Sequence, residues 1–327
     1  MQGEHYELSG TSGLCFQPLR NISDPAELSW AEGWVLDLLH HEGLEITPDL
    51  KEIVWTALSS LASAPVEERT LTGLTALLQS SKLRQALQPF TLEGVHGSVL
   101  DADADSLSGA DWQCFEMEEL MHTKALVLPV LTYLFHRLEA RFDARPTLLV
   151  LDEAWVFLDD PVFAERIREW LKVLRKKNVS VVFATQSLSD IATSPIAPAL
   201  IESCPSRIFL PNARATEPQQ AEAYARFGLN ATQIQLISFA TPKQDYYFQS
   251  RSGNRIFDLT LGPVSLAVCG ASSPVELQAA SELFLMNPTE GFAAAWLRRS
   301  RLDWAADLIV DPISDSNSLS TLPKGTS

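Results

Sequence analysis

The stretch LLVLDEAW, residues 148–155, runs four apolar residues into two adjacent carboxylates, Asp152 and Glu153. An apolar run of that length reads as a strand buried in a sheet. Its end delivers both acids to the carboxyl edge of the sheet, the edge at which open α/β folds hold ligands. An isolated Asp-Glu pair has a plainer use as well, as favourable charge at the N-terminus of the next helix. The neighbouring sequence decides between the two.

About thirty residues on, a second strand-like run, SVVFAT (180–185), ends in Thr185 and Gln186. If the two strands lie parallel, these side chains emerge at the same edge as the acids. Between them, FAERIREWLKVLRKKN spaces Phe163, Ile167, Trp170, Leu171 and Leu174 as one apolar helical stripe. That leaves Arg168, Lys172, Arg175 and Lys176 toward solvent or the helix end, where cations complement the helix dipole. CFEMEEL (114–120) and RIFLP (207–211) are further strand-like runs separated by helical stretches, so residues 94–270 read as a mostly parallel sheet between helices, with 147–151 and 180–185 near its centre, buried on both faces.

The flanks have other textures. Residues 24–93 read as helical: Asp24, Pro25 and Glu27 signal a start, Trp30, Trp34 and Leu38 continue a face, and Thr47-Pro48-Asp49 opens a helix carrying Ile53, Val54, Ala57, Leu58 and Leu61. Pro65 opens a third. DYYFQSRSGNRIFDLTL predicts a hairpin turning at Ser252-Gly253-Asn254. A last helical region runs from Pro274 to about Ala306, and residues 313–327 read as a disordered tail.

Composition narrows the function. With 327 residues, 46% hydrophobic, the chain can bury a sizeable core. A formal charge of −16 argues against wrapping nucleic acid over a whole face, and leaves room for a local basic patch. Cys15, Cys114, Cys204 and Cys269 are scattered without a CxxC pair, which fits a reducing compartment and no zinc site. The six histidines show no ligand spacing. No apolar stretch reaches the roughly 18 residues of a membrane span, and the N-terminus lacks a signal-peptide pattern.

In P-loop ATPases an acid at a strand end holds Mg²⁺ through its water shell, and a second polarises the attacking water. A glutamine on the next strand can sense the γ-phosphate, and an arginine can reach the ATP of a neighbouring subunit. The run from Arg145 to Asn212, with LTYLFHRLE before it and YARFGLN after, resembles the TrbE branch of the type IV secretion and conjugal-transfer ATPases, relatives of the HerA/FtsK translocases. The likeness extends from GLCFQPL through GNRIFDLTLGPVSLAVCGAS, most of the chain. It implies a RecA-like P-loop core with an inserted helical subdomain, acting on ATP with Mg²⁺ as a homo-oligomer, expected to be a hexamer, with other secretion subunits at the cytoplasmic face of the inner membrane. Direct contact with DNA is left open. The family's roles fall on Asp152 as the magnesium acid, Glu153 as the catalytic carboxylate and Gln186 as the sensor, with Thr185 beside it at the nucleotide. Arg175 lies eleven residues before Gln186, where this superfamily tends to carry its arginine finger.

One element of the family pattern is absent. A P-loop needs GxxxxGK[ST] so that backbone amides and a lysine hold the phosphates and a hydroxyl meets Mg²⁺. SGTSGLCF has no lysine, LPKGTS lacks the spaced glycine, and nothing else in the sequence comes closer. The expected organisation is therefore a core remnant at 1–23, a helical subdomain at 24–93, the core proper at 94–270, helices at 271–312 and the tail, with the phosphate-binding strand and loop missing. Two functions remain: the C-terminal part of an ATPase that drives pilus assembly and transfer of DNA or protein, or an inactive interaction module within the same machine. The chain alone is expected to be inactive. Arg251 and Arg255 of the hairpin read as ordinary exposed arginines, with an approach to nucleotide at a subunit boundary as the alternative.

Overall fold

The computed structural model describes residues 3–8, 14–153, 161–287 and 290–310. The expected tail at 313–327 lies outside them, as does part of the expected remnant at 1–23. The chain divides into two compact units, Met1–Ala184 and Thr185–Ser327.

In the first unit, β1 (Gly3–Glu7) and β2 (Trp112–Glu116) pair in parallel with Glu7 opposite Glu116. Tyr6 fastens the pair, stacking on Phe115 at 5.0 Å while its hydroxyl donates to Ser108 Oγ at 2.8 Å. The strand is set two residues earlier than CFEMEEL suggested, because Glu118 and Glu119 suit the first turn of a helix.

The helical stretch forms where its caps indicate. Asp24 accepts from the amides of Ala26 and Glu27 to start α1 (Pro25–His41), and Thr47 accepts from Leu50 to start α2 (Pro48–Leu61). Pro65 precedes a single 3-10 turn, Val66–Glu68. Thr70 and Ser80 cap α3 (Leu71–Leu77) and α4 (Ser81–Leu87). On α2 the buried stripe is Val54, Ala57, Leu58 and Leu61; Ile53, expected among them, faces outward one position off the stripe. Beyond the short α5 (Gly97–Leu100) and α6 (Glu118–His122), α7 (Lys124–Ala140) receives α1: Trp34 is buried and donates Nε1–H to the Pro129 carbonyl at 3.1 Å. Trp30 stacks on His136 at 4.0 Å, and that imidazole meets Glu27 at 3.0 Å.

The strands that frame the acids follow. β3 (Thr147–Leu151) and β4 (Val179–Phe183) pair in parallel, Thr147 opposite Val179 and Leu151 opposite Phe183. Between them α8 (Pro161–Val173) turns into a 3-10 stretch, Leu174–Lys177. Ile167, Trp170 and Leu174 are buried as the stripe requires, Trp170 edge-on to Phe135 at 4.7 Å and to Phe142 at 5.8 Å. Phe163 falls among the side chains outside the description.

The second unit holds α9 (Leu188–Thr193), α10 (Ala197–Ser203), β5 (Arg207–Phe209), α11 (Pro218–Arg226), α12 (Ala231–Phe239), β6 (Asp245–Ser250) and β7 (Gly253–Asp258). Then come α13 (Pro263–Cys269), α14 (Pro274–Met286), α15 (Glu290–Arg299) and α16 (Asp303–Val310). The hairpin forms with Ser250 paired to Gly253, so the turn residues are Arg251 and Ser252, one position earlier than expected. Gly253, at φ 130°, supplies the conformation that lets the tight loop close.

The expectation of one mostly parallel sheet is corrected. The described strands form two parallel pairs and one three-stranded antiparallel sheet, β5-β6-β7, so RIFLP joins the hairpin rather than a parallel core. Nor are β3 and β4 buried on both faces: Leu148 is 63% exposed, Val150 57% and Val182 45%, all on one side of the pair, while Leu151 and Val179 on the other are buried. Burial on two faces requires a layer on each side, and only one face of this pair is covered.

Candidate functional site

Register brings the acids to a defined edge. Because β3 and β4 run in parallel and the Ala184 amide donates to the Leu151 carbonyl at 2.9 Å, both strands finish together. Asp152 and Glu153 are the first two residues beyond β3. Asp152 is exposed and Glu153 half-buried. The Glu153 amide donates to Asp152 Oδ1 at 3.0 Å, which fixes one carboxylate against the backbone of the other. Glu153 takes φ 50°, a left-handed conformation costing a non-glycine residue roughly 1–3 kcal/mol. The turn that aims these acids is thus strained as well as acidic.

Thr185 and Gln186 follow Ala184 directly in sequence and open the second unit. The Thr185 hydroxyl accepts from the Ser187 amide at 3.2 Å, a local turn that shapes the chain after the strand, and Gln186 is exposed at the bend.

Arg175 lies elsewhere. It sits in the 3-10 stretch that precedes β4, exposed, at the end of the pair opposite Asp152 and Glu153. Asn178, at φ 60°, turns the chain from this stretch into β4; its side chain donates to the Ala144 carbonyl, and its own carbonyl accepts from Thr147. Five strand residues at about 3.3 Å each separate Arg175 from the acidic edge of its own chain. Lys177, two residues on, is held by Glu139 at 3.7 Å. Arg255 of the hairpin lies over the Phe248 ring at 5.5 Å, an ordinary cation–π contact.

A feature with no signal in the sequence lies at the end of β1 and β2. There Glu7, Glu116, Glu118, Glu119, Leu8 and His122 line a cavity of about 360 Å³. Its carboxylates would repel a phosphate. Glu7 and Glu116 are distant in sequence and meet only through the β1–β2 register.

A strand pair carrying an acidic pair at its carboxyl edge, with helices between the strands, is the architecture of the P-loop nucleotidase class, and solved structures of that kind share the fold. VirB4 of Thermoanaerobacter pseudethanolicus aligns with TM-score 0.57 at 16% identity, over 84% of this chain and 78% of that one. The plasmid coupling protein TrwB, solved with a non-hydrolysable GTP analogue, aligns with TM-score 0.52 at 13% identity over 79% and 74%. The chain belongs to the TraG P-loop domain family, whose pattern matches residues 76–241, and is a TrbE-like member of the conjugal-transfer ATPases. A probable conjugal transfer protein TrbE of Sinorhizobium fredii (strain NBRC 101917 / NGR234) is 44% identical over 84% of this chain, and conjugal transfer protein TrbE of Rhizobium radiobacter is 42% identical over 85%. The chain spans only 42% and 35% of the lengths of those two relatives.

Membership of this family implies nucleotide binding in general. The residues present fit one half of such a site: Asp152 and Glu153 supply the acids that a hydrated metal and an attacking water require. They do not fit the other half, since no GxxxxGK[ST] occurs in the 327 residues to cradle phosphates.

Proposed function

We propose that this chain supplies the hydrolytic edge of a conjugal-transfer ATPase. In this reading Asp152 holds Mg²⁺ through water, Glu153 polarises the attacking water, Thr185 and Gln186 contact the γ-phosphate region, and a P-loop outside these 327 residues holds the phosphates of ATP. The observation that supports it is the parallel β3–β4 pair ending together at Asp152-Glu153. The opposite placement of Arg175 supports a role on a neighbouring subunit, because a strand's length separates it from its own chain's acids. The complete protein is then a homo-oligomer, expected to be a hexamer, bound to other secretion subunits at the cytoplasmic face of the inner membrane. No helix among the described residues is long and apolar enough to cross that membrane. Direct DNA contact is not part of the proposal. The five-part division at 23, 93, 270 and 312 is proposed alongside it.

The test joins this chain to the region of the Rhizobium radiobacter relative that it does not match. Glu153→Gln should lower turnover by about 10² to 10⁴ while ATP binding persists, as removal of a positioned base does. Asp152→Ala should also weaken magnesium-nucleotide binding. Mixing Glu153→Gln with Arg175→Ala subunits should regain turnover, because some boundaries then pair an intact carboxylate with an intact arginine. Equal, small losses for all three would return the acids to the role of helix-dipole charge. The absence of GxxxxGK[ST] favours a second reading, an inactive module that keeps the family's docking surfaces; failure of the joined protein to bind ATP would favour it.

A further inference from the structure

The segment 91–97, TLEGVHG, is a surface loop with an unusually fixed backbone. Gly94 accepts no side chain, since a Cβ there would stand 2.2 Å from the Gln88 carbonyl oxygen, and at Gly97 it would stand 1.9 Å from that of Thr91. The Gly94 amide donates to Thr91 at 2.7 Å and the His96 amide to Pro89 at 2.9 Å, so the loop winds back over its own start. The Leu92 amide donates to Thr72 Oγ1 at 3.0 Å, and the Thr72 amide and hydroxyl donate in turn to the buried Asp101 carboxylate. What this braced loop presents is apolar: Leu92 is 70% and Val95 82% exposed. A rigid loop that keeps two aliphatic side chains in water has its binding conformation already formed, which lowers the entropy cost of docking.

Charge identifies the occupant. From residue 85 to residue 123 the chain carries eight carboxylates and no lysine or arginine. Glu93 lies between the two aliphatic residues, and Glu42 faces His96 at the loop's base. The surface that fits is apolar with a cationic rim. The same chain carries one: residues 166–177 hold six lysines and arginines against one glutamate. There Val173 is exposed between exposed Lys172 and Lys176.

We propose that the 91–97 loop of one copy docks on the end of α8 of a second copy, Leu92 and Val95 against Val173 and Glu93 against Lys172 or Lys176. Loop and cationic end belong to the same compact unit and are different surfaces, so the contact is head-to-tail and repeats from copy to copy. The net charge of −16 opposes association at long range, and physiological salt screens it beyond about 8 Å while leaving the contact pairs in place. The interface does not depend on the nucleotide chemistry.

Sedimentation velocity on the full chain across a concentration series tests this. The wild type should self-associate, and Leu92→Ser with Val95→Ser should weaken that about 10- to 100-fold, the loss of two buried aliphatic contacts. Both side chains are exposed, so the melting curve should not move. Glu93→Lys should weaken association, as should Lys172→Glu and Lys176→Glu, and Glu93→Lys combined with one of the lysine reversals should restore it to near wild type. A chain that stays monomeric at every concentration, a loop double variant that associates like wild type, or failure of both combinations to restore association would overturn the proposal.

Discussion

Glu153 is held in a conformation that glycine adopts freely and glutamate does not. Strain of that kind persists where a turn must aim a side chain. Comparing Glu153→Gly with Glu153→Ala isolates it, because both remove the carboxylate and only glycine relaxes the backbone. The glycine variant should be more stable to urea by about 1 kcal/mol. Identical midpoints would show that the turn carries no strain. Tyr133 makes a second prediction. Burial, reinforced by the neighbouring Asp105 carboxylate that accepts its hydroxyl proton, raises its phenol well above the usual tyrosine range. The folded state therefore keeps a proton that the unfolded chain releases near pH 10, and stability contributed below that pH is lost above it at about 1.4 kcal/mol per pH unit. Alkaline denaturation should be shallower in Tyr133→Phe, as chemical melts at pH 9 and 11 would show. A slope unchanged by that substitution would remove Tyr133 as the cause.

Two buried tryptophans on different helices test the packing. Trp34 of α1 donates its indole N–H to Pro129, whereas the buried Trp170 nitrogen has no partner among the described residues. Replacement by phenylalanine removes similar volume from both sites and costs a hydrogen bond at one. Trp34→Phe should thus be more destabilising than Trp170→Phe by about 1 kcal/mol, measured by urea unfolding. At this scale much of the structure was legible. Caps at Asp24 and Thr47 and the Ile167-Trp170-Leu174 stripe act through neighbours three or four residues away, so sequence spacing carries them. The Asp152-Glu153 turn was legible for the same reason, being local to the end of β3. The pairing of RIFLP was not: whether an apolar run joins parallel or antiparallel neighbours depends on strands distant in sequence, here the hairpin forty residues on. The exposed face of β3–β4 escaped as well, since an apolar run records that a strand can be covered on two sides and not whether it is. The acidic cavity brings together residues 7 and 116 through strand register alone.

At the scale of the whole molecule, the chain has acids for metal and water and no loop for phosphate. Without amide and lysine donors, Asp152 and Glu153 repel the anion they would help to cleave. The purified chain of 327 residues should show no magnesium-dependent ATP hydrolysis above background and no calorimetric binding of ATP. Robust turnover abolished by Glu153→Gln would mean that other donors replace the P-loop. The uncovered side of the β3–β4 pair bears on the life of the chain in a cell. Leu148, Val150 and Val182 form the kind of aliphatic surface that chaperones hold and quality-control proteases survey. A chain whose partner layer is absent is therefore subject to clearance, and its abundance follows that of whatever polypeptide covers those three side chains. Stoichiometry would then be set after translation, by destruction of the unaccompanied copies.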